Sequence, residues 1–357
     1  MTTPIPQILD LARWAPSGDN SQPWRFELID DLRFVIHGRD TREDCIYDLD
    51  GRPSQISLGA LIETAAIAAT GYGFELQYLR RNASTDGGLI FDVNLIARQD
   101  LAVNPLISAI PVRRVHRGPL QARALTTFET QALEASVGPD HTLKWFSSWP
   151  DRLRWALLLW RNAGVRLRLP EAFDLHRRII QWDARFSPDR IPDQALGVGK
   201  LTLAMMRPAM ASWERLDFLN TWLGGTIAPR LAMDCIPALA CAGHIAMAAR
   251  KPLASVDDYV AAGRAVQRLW LTATQLGLQH QPAITPLVFA RYIRDGRRFT
   301  ARPAVATQAL KMASALDELL SGETASTVWL GRLGAGNPAS ARSERLALGE
   351  LICVGSR

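Results

Sequence analysis

The chain has 357 residues, 48% of them hydrophobic and 21% charged, with a formal net charge of +6. That length and balance predict a sizeable globular core, in one large domain or two ordinary ones. The basic residues are mostly arginines and are scattered, which suits anionic ligands and does not indicate a nucleic-acid platform.

The opening "MTTPIPQILDLARW" lacks a basic n-region and a long apolar core, and no window approaches twenty apolar residues, so neither a signal peptide nor a membrane span is expected. Cys45, Cys235, Cys241 and Cys353 form no C-x-x-C pair and lack metal-ligand spacing; reduced thiols, no metal and a cytoplasmic location are the expectation. His244, three residues after Cys241 in an apolar run, reads as a core histidine.

Ile5, Ile8, Leu9 and Ala12 recur at helical spacing, so a short amphipathic helix opens the chain. It feeds a long polar loop in "ARWAPSGDNSQPWRF", residues 12–26. Taken alone, this loop is a well-capped surface turn. "WRFELID" and "LRFVIHG" then predict two strands turning at Asp30-Asp31. Residues 57–72 are apolar almost all round and predict a helix buried on most faces. "FELQYL" and "LIFDVNLI" follow as strands.

"IPVRRVHRGPL", residues 110–120, gathers Arg113, Arg114 and Arg117 without an acidic neighbour. A solvated basic turn is the ordinary outcome for such a run; a phosphate, which guanidinium grips bidentately, is the alternative. Residues 145–222 hold seven of the eleven tryptophans. They predict a helical insertion packed by its aromatics, with a minority covering a flat ligand.

Residues 257–276 predict a second long, mostly apolar helix with Asp257 and Asp258 in its first turn. "LGALIETAAIAATGYGF" from Leu58 aligns without a gap on "AGRAVQRLWLTATQLGL" from Ala262, pairing Gly59 with Gly263 and Gly73 with Gly277. The shared order of buried helix, glycine stop and apolar residue points to an internal duplication. Near the end, "GRLGAGNPASARSERLALGEL" places Arg342 and Arg345 in a polar loop or at a helix start, after a glycine-rich turn. Neither it nor "GVGKLT" meets the nucleotide-loop patterns, so ATP or GTP chemistry is not supported.

Three of these segments together resemble the FMN-dependent nitroreductase family. "ARWAPSGDNSQPWRF" resembles its A-P-S-x-x-N-x-Q-P-W signature, "PVRRVHRGP" its arginine-rich start, and "ARSERLALGEL" its closing R-x-P-L-x-E-L. Val115, Pro119 and Ala347 depart from the usual Ser, aromatic and Pro. The arginine segment follows the loop by about ninety residues, whereas the ordinary family has it first. That order resembles the fused, internally duplicated subgroup, which includes a mycobacterial dormancy flavoprotein and nitroreductase domains joined to ThiF-like domains.

The resemblance implies an α+β, nitroreductase-like fold with two tandem halves of antiparallel-rich sheets covered by helices. The halves form a pseudo-dimer in one chain, with a helical lid insertion. The implied division is 1–125, 126–228 for the tryptophan-rich lid, and 229–357, with 110–120 serving the second half. It implies FMN contacts from Pro16, Ser17, Gly18 and Asn20, and from Pro282, Ala283 and Ile284 in a 281–285 run offering backbone N–H groups to N5. Ile284 stands where several members have Glu. Arg113, Arg114, Arg342 and Arg345 form the implied phosphate and flavin-binding arginines, with Arg117 near the N1/O2 edge. Trp24 and Gln22 are expected to anchor the loop. No catalytic acid or base is identified, and His116 is not assigned such a role.

The implied activity is hydride transfer through flavin N5 to or from a small-molecule or biosynthetic substrate, with NAD(P)H as a candidate donor. A flavin-sequestering protein whose lid blocks nicotinamide, and a non-redox partner of a ThiF-like activating enzyme, are the alternatives. The monomer suffices as a pseudo-dimer; further homodimerisation stays open.

Overall fold

The computed structural model describes residues 4–81 and 89–353. It is an α+β protein built around two four-stranded antiparallel sheets. Helix α1 (Ile5–Ala12) buries Ile5, Ile8, Leu9 and Ala12. Strands β1 (Trp24–Leu28) and β2 (Arg33–Gly38) form the expected hairpin; Asp30 Oδ1 accepts the N–H groups of Leu32 and Arg33 at its turn. Helix α2 (Arg52–Thr70), β3 (Phe74–Arg80) and β4 (Leu89–Ala97) complete the first unit, in the strand order β1-β2-β4-β3.

The second unit starts with α3 (Thr127–Ser136), closed by a capping box between Thr126 and Glu129, and β5 (His141–Phe146). Residues 147–242 then leave the sheet. They hold α4 (Trp149–Arg166), α5 (Phe173–Ile179), α6 (Lys200–Ala209) and α7 (Trp213–Trp222). The chain returns as β6 (Gly243–Ala249), α8 (Val256–Gln275) and β7 (Leu278–Pro282). After α9 (Thr285–Arg294) and α10 (Pro303–Leu319), β8 (Thr327–Ala335) closes the sheet in the order β7-β8-β6-β5.

Each sheet therefore runs strand, strand, helix, strand, strand, with the last strand inserted beside the second. Gly73 (φ 76°) and Gly277 (φ 73°), which the gapless alignment pairs, both take the left-handed conformation just after their helix. The helix α2 is apolar all round because one side meets the first sheet (Leu58, Leu61 and Ile62 against Phe26, Phe34 and Phe91) and another meets α8. Helix α8 in turn packs Val266, Leu269 and Trp270 on Ile245, Val328 and Leu333 of the second sheet.

The α2–α8 crossing is reciprocal. A Cβ on Gly59 would overlap the Val260 carbonyl, and a Cβ on Gly263 would overlap the Ile56 carbonyl. Backbones approach this closely only where both helices lack a side chain. Around the contact, Glu63 accepts from Arg264 Nε (2.6 Å) and pairs with Arg268 (3.0 Å), and Gln267 Nε2 donates to Thr64 Oγ1 (2.9 Å).

The tryptophan-rich stretch is not one insertion from residue 126. Within it, α3 and β5 are parts of the second unit, β5 being its edge strand. Trp155 is buried and stacks on His244 at 4.9 Å, inside the core of that unit. "GRLGAGNP" is likewise no turn at its start: Thr327–Ala335 is a buried strand, where Gly331 makes room for the His280 ring and Gly334 for Leu120 and the Ala242 backbone.

His244 and His280 are buried and held neutral. His280 Nε2 accepts the Trp329 indole N–H (3.1 Å), leaving Nδ1–H to donate to the Arg332 carbonyl (3.0 Å). His244 shares 3.0 Å with the Ala238 carbonyl. Burial pushes both down to about 3. The unfolded chain takes up these protons below its ordinary histidine value of roughly 6.5, while the folded chain refuses them until about 3. Stability is therefore full above that unfolded value and falls as pH drops through the window between them. Each histidine contributes up to about 1.4 kcal/mol per pH unit. Urea midpoints should fall steadily from pH 7 to pH 4.5; a flat profile would contradict buried neutral histidines.

Candidate functional site

A cavity of about 1220 Å³ lies between the two units and the 147–242 excursion. The opening loop forms one wall through Pro16, Ser17, Gly18, Asp19, Asn20 and Ser21. Three non-glycine residues here have left-handed backbones, Asp19 (φ 51°), Asn20 (φ 62°) and Gln22 (φ 45°), a strained run that needs ties. Ser17 Oγ accepts the Gln22 N–H (3.0 Å). Gln22 Nε2 donates to the Pro188 carbonyl (2.8 Å), and its Oε1 accepts the Leu346 N–H (2.9 Å). Asn20 Nδ2 also donates to Pro188 (3.0 Å). With Trp24 fully buried, Gln22 and Trp24 anchor the loop, and Asn20 joins it to the excursion.

Arginines form the second feature. Arg113 is buried, donates from Nη2 to the Trp14 carbonyl (2.7 Å) and lies 4.5 Å over the Trp270 ring; its Nε has no partner. Arg345 donates from Nε and Nη2 to the Ala15 carbonyl (3.0 and 2.9 Å). Arg342 donates to the Pro111 carbonyl (2.7 Å) and lies 4.5 Å over Trp14. Among the described residues none of the three forms an ion pair; their bonds end on carbonyls. Burial drives Arg113 well below the usual guanidinium range, and repulsion from Arg345 and Arg342 adds to it. Burial, then Arg342 and Arg13, bring Arg345 down to about 9. Cations held this close, repelling one another and paired with no carboxylate, are the electrostatics of an anion seat.

The predicted site residues divide as follows. Pro16, Ser17, Gly18, Asn20, Arg113, Arg117, Pro282, Ala283, Ile284 and Arg345 line the cavity. Arg114 and Arg342 do not: Arg114 Nη1 is tied to the Ala339 carbonyl (2.8 Å), and Arg342 stands behind Trp14, acting on Arg345 only through its charge. The expected backbone donors at 281–285 are fewer than anticipated. Pro282 has no N–H and that of Ala283 donates to the Leu330 carbonyl (2.8 Å), which leaves the start of α9, a helix without a side-chain cap.

Sequence reasoning missed Arg332. It is buried on β8, donates from Nε to Gln281 Oε1 (2.7 Å) and from Nη2 to the Arg117 and Gly118 carbonyls (2.8 Å each), and lines the cavity with a free Nη1. Burial brings it down to about 10. The signal was an arginine alone in an apolar run, hidden by the glycines around it. Arg117, expected at that edge, donates to the Ala195 carbonyl (3.0 Å). None of the seven tryptophans of 145–222 lines the cavity; its tryptophans are Trp270 and Trp329, and the excursion presents Met205, Met206 and Met210 instead. Cys45 reaches the cavity, but burial pushes its thiol up to about 12, so it is no nucleophile at neutral pH. No cluster of metal-ligating side chains occurs among the described residues, and no helix there is long and apolar enough to cross a membrane.

No protein-family model matches the chain, and no curated protein matches it. Among solved structures it is similar to the FMN-dependent nitroreductase NfnB from Mycobacterium smegmatis in complex with NADPH, at 15% identity and a TM-score of 0.36, over 70% of this chain and 96% of that one. A likeness of that degree carries no argument about this chain.

Proposed function

We propose that the chain binds one FMN in this cavity and acts as an FMN-dependent oxidoreductase, moving hydride between a nicotinamide donor and a small-molecule acceptor. The carrying observation is the group of unpaired guanidiniums, with the orphaned Arg113 Nε, at a cavity larger than the ~300–1,000 Å³ of common ligand sites. Phosphate chemistry fits those donors. Arg113 and Arg345 would hold it, with Arg342 reinforcing the field from behind. FMN, when bound, supplies reversible two-electron hydride acceptance at N5. The free Nη1 of Arg332 is suited to negative charge on the ring's pyrimidine edge, replacing Arg117 in that assignment. The opening loop and the 282–284 segment would wall the ring.

In this reading one chain carries both halves of the site in the manner of a pseudo-dimer. The repeated strand order and the reciprocal glycine crossing support it. The halves would be 4–125 and 126–146 with 243–353, and the lid 147–242. A cytoplasmic location fits this reading.

Anaerobic mixing of the FMN-loaded protein with NADPH or NADH should bleach the flavin within seconds. A protein that takes up no FMN overturns the proposal. A flavin that only dithionite reduces favours a second reading, flavin sequestration. The observation behind that one is the tie of Asn20 and Gln22 to Pro188, which draws the excursion over the loop.

A further inference from the structure

Beyond the arginines, the cavity has a polar corner that FMN binding does not require. Tyr47 comes from the loop before α2, and His176 from α5; both line the cavity, with Tyr47 Oη 2.7 Å from His176 Nε2 and the rings 5.8 Å apart. The loop is rigid: Leu49 N–H donates to Tyr292 Oη (2.7 Å), whose O–H donates to the Ile46 carbonyl (3.1 Å), and Asp50 pairs with Arg291 (3.0 Å). Two residues of α4 face the same space. Asn162 is buried, donates from Nδ2 to Thr285 Oγ1 (2.9 Å) and has an Oδ1 without a partner. Arg166 leans on Asp234 at 3.4 Å and has a free Nε. Unspent buried donors and acceptors beside a tyrosine–histidine pair mark a place for a polar group of a second molecule.

Resting on the FMN reading above, we propose that Tyr47, relayed by His176, is the proton donor to a quinone-type carbonyl acceptor bound in this corner. A quinone that receives a hydride gains two electrons and one hydrogen and is left as a monoanion; one proton on oxygen completes the hydroquinone. The hydride comes from NAD(P)H by way of the flavin. The proton leaves Tyr47 Oη, and the phenolate takes a replacement from solvent through His176. Burial and Arg166 push His176 down to about 4, so its imidazole is neutral, able to accept at one nitrogen and donate at the other. Burial pushes the Tyr47 phenol up; the Arg166 guanidinium works against that rise and stabilises negative charge on the phenolate and on the acceptor oxygen. Asn162 would orient the acceptor.

The test compares the full chain with Tyr47→Phe in two arms. With FMN bound, reduction of 1,4-naphthoquinone, which needs a proton, is measured against ferricyanide, which takes electrons alone. The naphthoquinone-to-ferricyanide rate ratio should fall at least about tenfold. Without FMN, 4-nitrophenolate serves as a probe of the oxyanion, and its affinity should weaken roughly tenfold on losing a charge-assisted hydrogen bond. An unchanged ratio together with unchanged phenolate affinity overturns the proposal. If the parent chain takes up no FMN, the functional reading fails instead, and the phenolate arm alone decides the tyrosine subsite. Should Tyr47→Phe not fold, His176→Asn is read by the same ratio.

Discussion

Arg345→Gln should weaken FMN binding about 10- to 100-fold and leave riboflavin binding where it was. A hydrogen bond to a charged group contributes roughly 1.5–3 kcal/mol, and about 1.4 kcal/mol is a factor of ten. Only FMN carries the phosphate, so the ratio of the two affinities isolates the anion seat from the ring site. Arg345 is the better position than Arg113, whose guanidinium also lies over Trp270 and would disturb the apolar wall if removed. Without ligand the variant gives up the two bonds to the Ala15 carbonyl along with the repulsion from Arg342 and Arg13, so the FMN-to-riboflavin ratio, not stability, reads the phosphate role. Inorganic phosphate should raise the parent's Tm more than the variant's, by mass action on the folded state. A parallel loss of FMN and riboflavin in isothermal titration would show that Arg345 shapes the cavity and does not hold a phosphate.

Gly59→Ala should cost about 3 kcal/mol or more, a large fraction of an ordinary domain's stability. The new methyl would occupy the position of the Val260 carbonyl, and a backbone atom cannot rotate away as a side chain can. Gly263→Ala should cost a similar amount against the Ile56 carbonyl. The double variant should cost clearly less than the two added together, since one separation of α2 from α8 relieves both overlaps. Gly277→Ala is the control. It adds a methyl in open space at φ 73° and should cost only about 1–2 kcal/mol. Urea denaturation decides: a Gly59→Ala cost near that control would mean that the crossing is loose.

The elements of the first unit were legible because each carried its own period. The alternation of "WRFEL" and "RFVIH" and the apolar run of α2 are local signals, and the structure has these elements within a few residues of their expected places. The pairing of Gly59 with Gly263 was visible as an alignment, though nothing local said that the two glycines face each other's helix. The second unit was harder to read, since 147–242 separates β5 from β6, which are neighbours in the sheet. Sequence distance there hid a spatial adjacency, and the tryptophans of 145–222 drew attention from the edge strand among them. At the site, motif residues and lining residues agree at the loop and at Arg113, Arg117 and Arg345. Arg332 and the Tyr47–His176 pair have no motif. They meet through β8, α5 and the loop before α2, whose juxtaposition is a tertiary fact.

The tie between the opening loop and the segment after β8 bears on when this protein can finish folding during synthesis. Gln22 Oε1 accepts the Leu346 N–H, Arg345 grips Ala15, and the Phe26 carbonyl accepts the Cys353 N–H, which puts late residues along the free edge of β1. Partners more than three hundred positions apart cannot meet while the ribosome still holds the later one. The first sheet can therefore pair its four strands early yet must wait, its edge uncovered, until residue 353 has emerged. An edge left open that long is an invitation to pair with another chain. The exposed Arg25 on β1 places charge along that edge during the interval.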